Sequence, residues 1–354
     1  MIKIILLIIA AMIVLAILAF GLYFCCSPMP IVRLLRRGED APPGLPADYA
    51  DHASKVEFQK DLAYAGGHDD KFDLYMPRTA DKNYSDDSDT KSCAGSMAGK
   101  ATGMSGITRL PVILWVHGGA FVAGDKCGLE NWATMLASEG YAVAAMNYTW
   151  APEAAYPTQL RQVCQCVEKL MAMAAQNVPL DMEHLIIAGD SAGAHMAAQF
   201  ALIHTNPEMS AALGIPSPLP AHALRAALLY CGPYDIKLMM HPKSRMLRLF
   251  ISRIGWSYFG KKRWEKLPLA ETVNIPDFVT ADFPPAYITD GNHVSFESQG
   301  RRLAQTLRSM GVPVKDRFFE AEDGVVNHEY QADLSSENGM KCYKDTVAFL
   351  SEYH

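Results

Sequence analysis

The chain opens on an unbroken apolar run. From Ile4 to Phe24 there are 21 residues without a charge, relieved only by Gly21 and Tyr23. As a helix this is long enough to cross a bilayer core, which needs about 20 residues. A secretory leader has a shorter apolar stretch, about 7 to 15 residues, followed by a small-x-small cleavage site. Here the run ends in Tyr23-Phe24-Cys25-Cys26, so we expect an uncleaved anchor over residues 1–27, with 4–24 in the membrane. Arg33, Arg36 and Arg37 follow the span and Lys3 precedes it. That count leans towards a cytoplasmic body, but flanking charge does not fix the side on which a large domain lies.

Pro28, Pro30, Pro42, Pro43 and Pro46 predict an extended connector over 28–50. Lys55–Tyr64 and Lys71–Met76 flank Gly66-Gly67, and Phe72, Leu74 and Met76 alternate with Asp73 and Tyr75. This pattern predicts an antiparallel hairpin. Residues 80–108 lose apolar content and predict a flexible surface insertion, with a glycosylation sequon at Asn83-Tyr84-Ser85.

From Pro111 onward, short continuous apolar runs alternate with helix-length segments, as in a mostly parallel sheet covered on both faces. The predicted strands are 112–116, 142–146, 185–188, 226–230, 286–289 and 314–319. Helices are expected near 129–139, 156–175, 192–204, 296–310 and 339–352. The fold class is therefore α/β, with one domain over 51–354, and chemistry is expected beyond the carboxyl ends of the strands. An apolar, basic insertion at 235–281, rich in Met, Leu, Ile, Phe and Trp, has the place of a lid.

Composition narrows the function. Half of the 354 residues are apolar, enough for a substantial core. Thirty-two basic against 38 acidic residues leave no basic footprint for nucleic acid. Eight cysteines without a C-x-x-C pair argue against a structural zinc site or a disulfide scaffold.

The run at 185–188 ends in Gly189-Asp190-Ser191-Ala192-Gly193, and a helix is expected immediately after it. This is G-x-S-x-G in its strand-turn-helix setting, where the sharp turn leaves no room for side chains beside the serine. Ser191 is thus the candidate nucleophile, at a helix N-terminus that favours developing negative charge. The run at 112–116 ends in His117-Gly118-Gly119-Ala120, a turn of the kind that presents backbone N–H groups to an oxyanion. We expect the N–H groups of Gly118, Gly119 and Ala192 there, with His117 orienting the loop. Asp190 is expected to be a structural hydrogen-bonding group.

These motifs, together with Asn147-Tyr148-Thr149-Trp150-Ala151-Pro152-Glu153 and Tyr156-Pro157, resemble the hormone-sensitive-lipase-like branch of the α/β-hydrolases over roughly residues 55–354. The resemblance implies an α/β-hydrolase fold, a serine carboxylic-ester hydrolase that needs no metal or organic cofactor, and structural roles for Tyr148, Pro152 and Glu153. It also implies a general-base histidine in the loop after the last strand, where His328 stands. Chain order leads to the same residue, because among the histidines beyond Ser191 only His328 combines a loop with a place after the last strand.

The acid departs from the family's pattern. The resemblance implies an aspartate three residues after the glycine that follows the seventh strand, but Val294 occupies that position. Asp290 and Glu297 are the nearby carboxylates. Asp290 is preferred, because a carboxylate at a strand end needs a partner such as imidazolium. Glu297 has a sufficient role as a helix N-terminal charge. Phe121 and Tyr148 are candidate substrate-lining residues. The expected ligand is a small-molecule or lipid ester. An amidase or deacetylase, or a ligand-binding protein whose triad has decayed, are the alternatives.

Overall fold

The computed structural model describes residues 2–38, 44–78, 108–239 and 244–353. The predicted insertion at 80–108, Asn83 included, lies outside them apart from residue 108. Helix α1 (Ile2–Cys26) precedes α2 (Met29–Leu35) and α3 (Tyr49–Ser54). The hairpin follows as β1 (Val56–Ala63) and β2 (Lys71–Pro77), then β3 (Leu110–Val116), α4 (Glu130–Ser138) and β4 (Ala142–Met146). Next come α5 (Thr158–Ala175), β5 (Leu180–Asp190), α6 (Ala192–Thr205), α7 (Pro207–Leu213) and β6 (Leu224–Tyr230). The insertion after β6 holds α8 (Ile236–Met239) and α9 (Arg245–Phe259), and β7 (Ala286–Thr289), α10 (Glu297–Ser309), β8 (Val314–Arg317) and α11 (Glu337–Leu350) follow.

The strands form one eight-stranded sheet in the order β1-β2-β4-β3-β5-β6-β7-β8. β1 and β2 are antiparallel, β2 is antiparallel to β4, and the remaining pairs are parallel. The continuous apolar runs have a direct cause here. In β3, Val112, Leu114 and Val116 enter the core under α5, α6 and α9, whereas Ile113 and Trp115 enter the core under α4 and α11. A strand buried on both faces has no polar side to show, and each such residue contributes about 1.5–3 kcal/mol.

Residues 28–50 are not simply extended. Pro28 caps α2 and Pro30 lies in its first turn, where no backbone N–H is needed for the helix. The helix buries Val32 in the main core. Just beyond it, the Arg36 guanidinium donates to both Glu153 carboxylate oxygens at 2.8 and 2.6 Å and stacks over Trp150. β5 begins five residues before the predicted start, because Leu180 and Asp181 already pair with Leu110 and Pro111.

Candidate active site

The G-x-S-x-G turn is set by sterics. Ser191 has φ 48° and ψ −116°, a strained conformation that lifts its side chain from the end of β5 at the start of α6. A Cβ on Gly193 would lie 1.9 Å from the Val116 carbonyl oxygen, and one on Gly189 would lie 2.4 Å from Gly193 backbone. Both glycines are therefore required for β3, β5 and α6 to meet.

Ser191 Oγ lies 3.1 Å from His328 Nε2, and His328 Nδ1 lies 3.2 Å from Asp290 Oδ1. Asp290 is buried and held from two further sides. Its Oδ1 accepts the Gly291 N–H at 2.8 Å, and its Oδ2 accepts the Phe296 N–H at 2.7 Å. His328 is fixed by pairing of the two loops that carry it and the acid: His293 N–H donates to Val326 and His328 N–H to His293. The Phe296 ring meets the imidazole edge-on. Burial lowers the pKa of His328, but the hydrogen bond and negative charge of Asp290 outweigh it, so the net shift is upward.

Glu297 is engaged elsewhere. It accepts from Arg301 Nε at 2.7 Å, one helical turn along α10, an ordinary i,i+4 ion pair, whereas His328 Nδ1 faces Asp290. Val294 is exposed; the carboxylate that meets His328 stands four residues earlier, just after β7. Cys231 approaches Asp290 and His328 closely enough to complete a three-residue cluster. Its thiol donates to Gln331 and burial holds its pKa well above the ordinary range, so it stands there as a neutral packing group.

Asp190 is structural, as expected: Oδ1 accepts from Trp115 Nε1 at 2.8 Å and Oδ2 from the Gly118 N–H at 2.8 Å. That second bond corrects the expected oxyanion set, because the Gly118 N–H is committed to Asp190. Among the described residues, the backbone N–H groups of Gly119, Ala120 and Ala192 have no recorded acceptor, and Ala120 and Ala192 both line the cavity beside Ser191. Ala120 belonged to the sequence motif but was not among the expected donors. Tyr148 also differs from expectation. Its hydroxyl lies 3.2 Å from the carbonyl oxygens of His117 and Gly118, and its ring stacks on His117, so it braces the turn instead of lining the pocket. His117 is buried with Nδ1 2.6 Å from the Gly118 carbonyl, and burial lowers its pKa.

An apolar cavity opens next to Ser191. Phe121 lines it, stacked on Tyr258, and the roof comes from Phe250, Ile251, Ile254 and Phe259 of α9. His195, missed in the sequence because a mid-helix histidine carries no signal, also faces this space. Its Nδ1 lies 2.7 Å from the Pro233 carbonyl and burial lowers its pKa to about 4, so it is neutral.

The sheet order and the sharp turn at the serine are those of the α/β-hydrolase fold, and Ser191, His328 and Asp290 stand in line at its strand ends. The chain belongs to the BD-FAE family, whose model matches residues 103–307. The resemblance to hormone-sensitive-lipase-like enzymes read from the motifs stands. The chain is 25% identical over 221 residues to the putative alpha/beta hydrolase R526 of Acanthamoeba polyphaga mimivirus, covering 58% of either chain. It is 27% identical over 212 residues to esterase LipI of Mycobacterium tuberculosis, covering 58% of this chain and 62% of that one. It thus spans about three fifths of the length of these curated relatives. Among solved structures, esterase B from Lactobacillus rhamnosis superposes with a TM-score of 0.67 at 18% identity, covering 97% of this chain and 95% of that one. EstE1, a carboxylesterase from a metagenomic library, superposes with a TM-score of 0.63 at 14% identity over 93% and 99%.

Proposed function

We propose that the chain is a serine carboxylic-ester hydrolase working through an acyl-enzyme. The observation that carries this is the continuous hydrogen-bonded line from Ser191 Oγ through His328 to Asp290. Asp290 accepts from Nδ1–H and so leaves the Nε2 lone pair facing the serine. Nε2 takes the hydroxyl proton as Oγ attacks the ester carbonyl; the free N–H groups of Gly119, Ala120 and Ala192 receive the oxyanion. The imidazolium returns its proton to the departing alcohol, and the same nitrogen then deprotonates the water that releases the acid. The apolar cavity suits an acyl chain, and the relatives named esterases are consistent with this chemistry.

Residues 1–27 are proposed as a membrane anchor, with 4–24 in the bilayer: the helical stretch Lys3–Cys26 has a mean hydropathy of 3.2 over its most apolar window, none of it buried against the body. Under this reading residues 235–281 form a lid on a hydrolase domain that begins near residue 51.

Hydrolysis of p-nitrophenyl esters from acetate to palmitate, compared with Ser191→Ala, tests the proposal. Turnover abolished by Ser191→Ala supports it. Folded wild type as inert as the variant would leave a ligand-binding protein on a hydrolase fold.

A further inference from the structure

Helix α9 has two opposed faces, and only one is used by the cavity. Ile251, Ile254, Gly255 and Tyr258, at steps of three and one residues, face inward and line the pocket beside Ser191. Met246, Leu249, Arg253 and Trp256, at steps of three and four, form a stripe on the other side of the helix. At the C-terminal half of that stripe the partner is known, because Arg253 Nη2 donates to the Phe24 carbonyl at 3.0 Å and its guanidinium lies over the Phe24 ring. Lys262, placed over Trp256, donates to the Cys25 carbonyl at 3.0 Å. The lid helix is therefore tied to the last carbonyls of α1. At the N-terminal half the same stripe is uncovered, with Met246 80% and Leu249 37% exposed.

We infer that this outer face of α9 lies on a phospholipid bilayer, in the headgroup region beside the point where α1 enters it. The inference rests on reading α1 as a membrane span. Continuity is the first argument: Arg253 and Trp256 share the stripe with Met246 and Leu249, so a bilayer reached by Phe24 is reached by the rest of the stripe. Charge is the second. Residues 244–264 hold Arg245, Arg248, Arg253, Lys261, Lys262 and Arg263 and no acidic residue, and α2 with the turn after it adds Arg33 and Arg37 near exposed Leu34. Apolar residues framed by cations are the composition of a helix lying in an anionic interface. Because the inner face of the same helix roofs the pocket, the bilayer supports the roof, and an ester dissolved in the membrane has a short path to Ser191.

The test uses the full chain in phosphatidylcholine–phosphatidylserine vesicles. Flotation after a carbonate wash examines the span by itself; a chain that is stripped off overturns both readings. On chains that float, Met246→Trp adds an indole to α9 and Lys344→Trp adds one to α11 on the far side of the sheet. Lipids brominated near the headgroup are expected to quench the added emission at 246 and not at 344. Equal insensitivity at both positions in a floating chain overturns the interfacial lid while leaving the span intact. Met246→Glu/Leu249→Glu is expected to lower hydrolysis of a vesicle-dissolved long-chain ester about tenfold with p-nitrophenyl acetate turnover unchanged. An equal loss on both substrates, or on neither, also overturns it.

Discussion

The carboxyl group of Glu329 lies against the carboxylate of Asp190, both crowded onto the backbone of Gly118. Asp190 is tied to the Gly118 N–H and to Trp115, so Glu329 abuts the bond that shapes the turn after β3. Two ionised carboxylates in one partly buried place repel each other, and the pair is relieved when Glu329 keeps its proton and donates it to Asp190.

Burial, followed by the charge of Asp190, pushes the Glu329 carboxyl up to about 8. His328 must lose its proton to act as a base and is held above its usual 6.5. The expected kcat/KM therefore rises as His328 deprotonates and falls again as Glu329 ionises near pH 8. Glu329→Gln should keep the acid limb and lose the alkaline one; an unchanged alkaline limb would refute the assignment. Stability has a definite sign too. Unfolded Glu329 ionises near 4.5, so between there and about 8 the folded state holds the extra proton. Stability contributed by this residue is then lost as pH rises across that window and does not fall further above it. Melting curves should show Glu329→Gln gaining on wild type from pH 5 to pH 8.

The identity of the triad acid is open to a paired substitution. Asp290→Asn places an amide where His328 Nδ1–H needs an acceptor, and a loss of kcat of about 10⁴-fold is expected. Glu297→Gln breaks only the surface pair with Arg301 and should leave kcat near wild type. A melting temperature close to wild type for Asp290→Asn separates loss of chemistry from loss of fold. Equal kinetic effects at the two positions would sink the assignment of Asp290.

Lys126 is a buried cation, 6% exposed, paired with Asp73, 2% exposed, at 2.9 Å and with Asp61 at 3.0 Å. It joins the hairpin to the segment that follows the His117–Ala120 turn. Lys126→Met strands the Asp73 carboxylate without its cation, a change expected to cost about 3–5 kcal/mol. Adding Asp73→Asn should recover most of that loss. Denaturant titration decides it, and a double variant no better than Lys126→Met would show that the cost lies in packing.

The parts legible in the sequence were those encoded by neighbours. The glycines around Ser191 answer to contacts at one turn, and the apolar strands declare burial on both faces. Asp290 was legible because a carboxylate in a buried strand end must have a partner. What escaped depends on distant segments. The commitment of the Gly118 N–H joins residues 72 apart, and the bracing of the same turn by Tyr148 spans 30. Helix α2 was hidden because prolines suggested extended chain, whereas Pro28 and Pro30 sit where a helix start accepts them.

The roof of the pocket depends on a residue without a side chain. A Cβ on Gly255 would lie 2.0 Å from the Trp264 indole, which is stacked on Phe259 and itself lines the cavity. Gly255→Ala must therefore move a ring fixed on its other face, and overpacking of this kind costs about 1–3 kcal/mol. The free direction for the indole is the cavity, so its depth should shrink. The expected result is a lower melting temperature with the ester optimum moved to shorter acyl chains and Ser191 still reactive towards a small fluorophosphonate. An unchanged chain-length profile would mean that the acyl group does not reach Trp264 and lies elsewhere along α9.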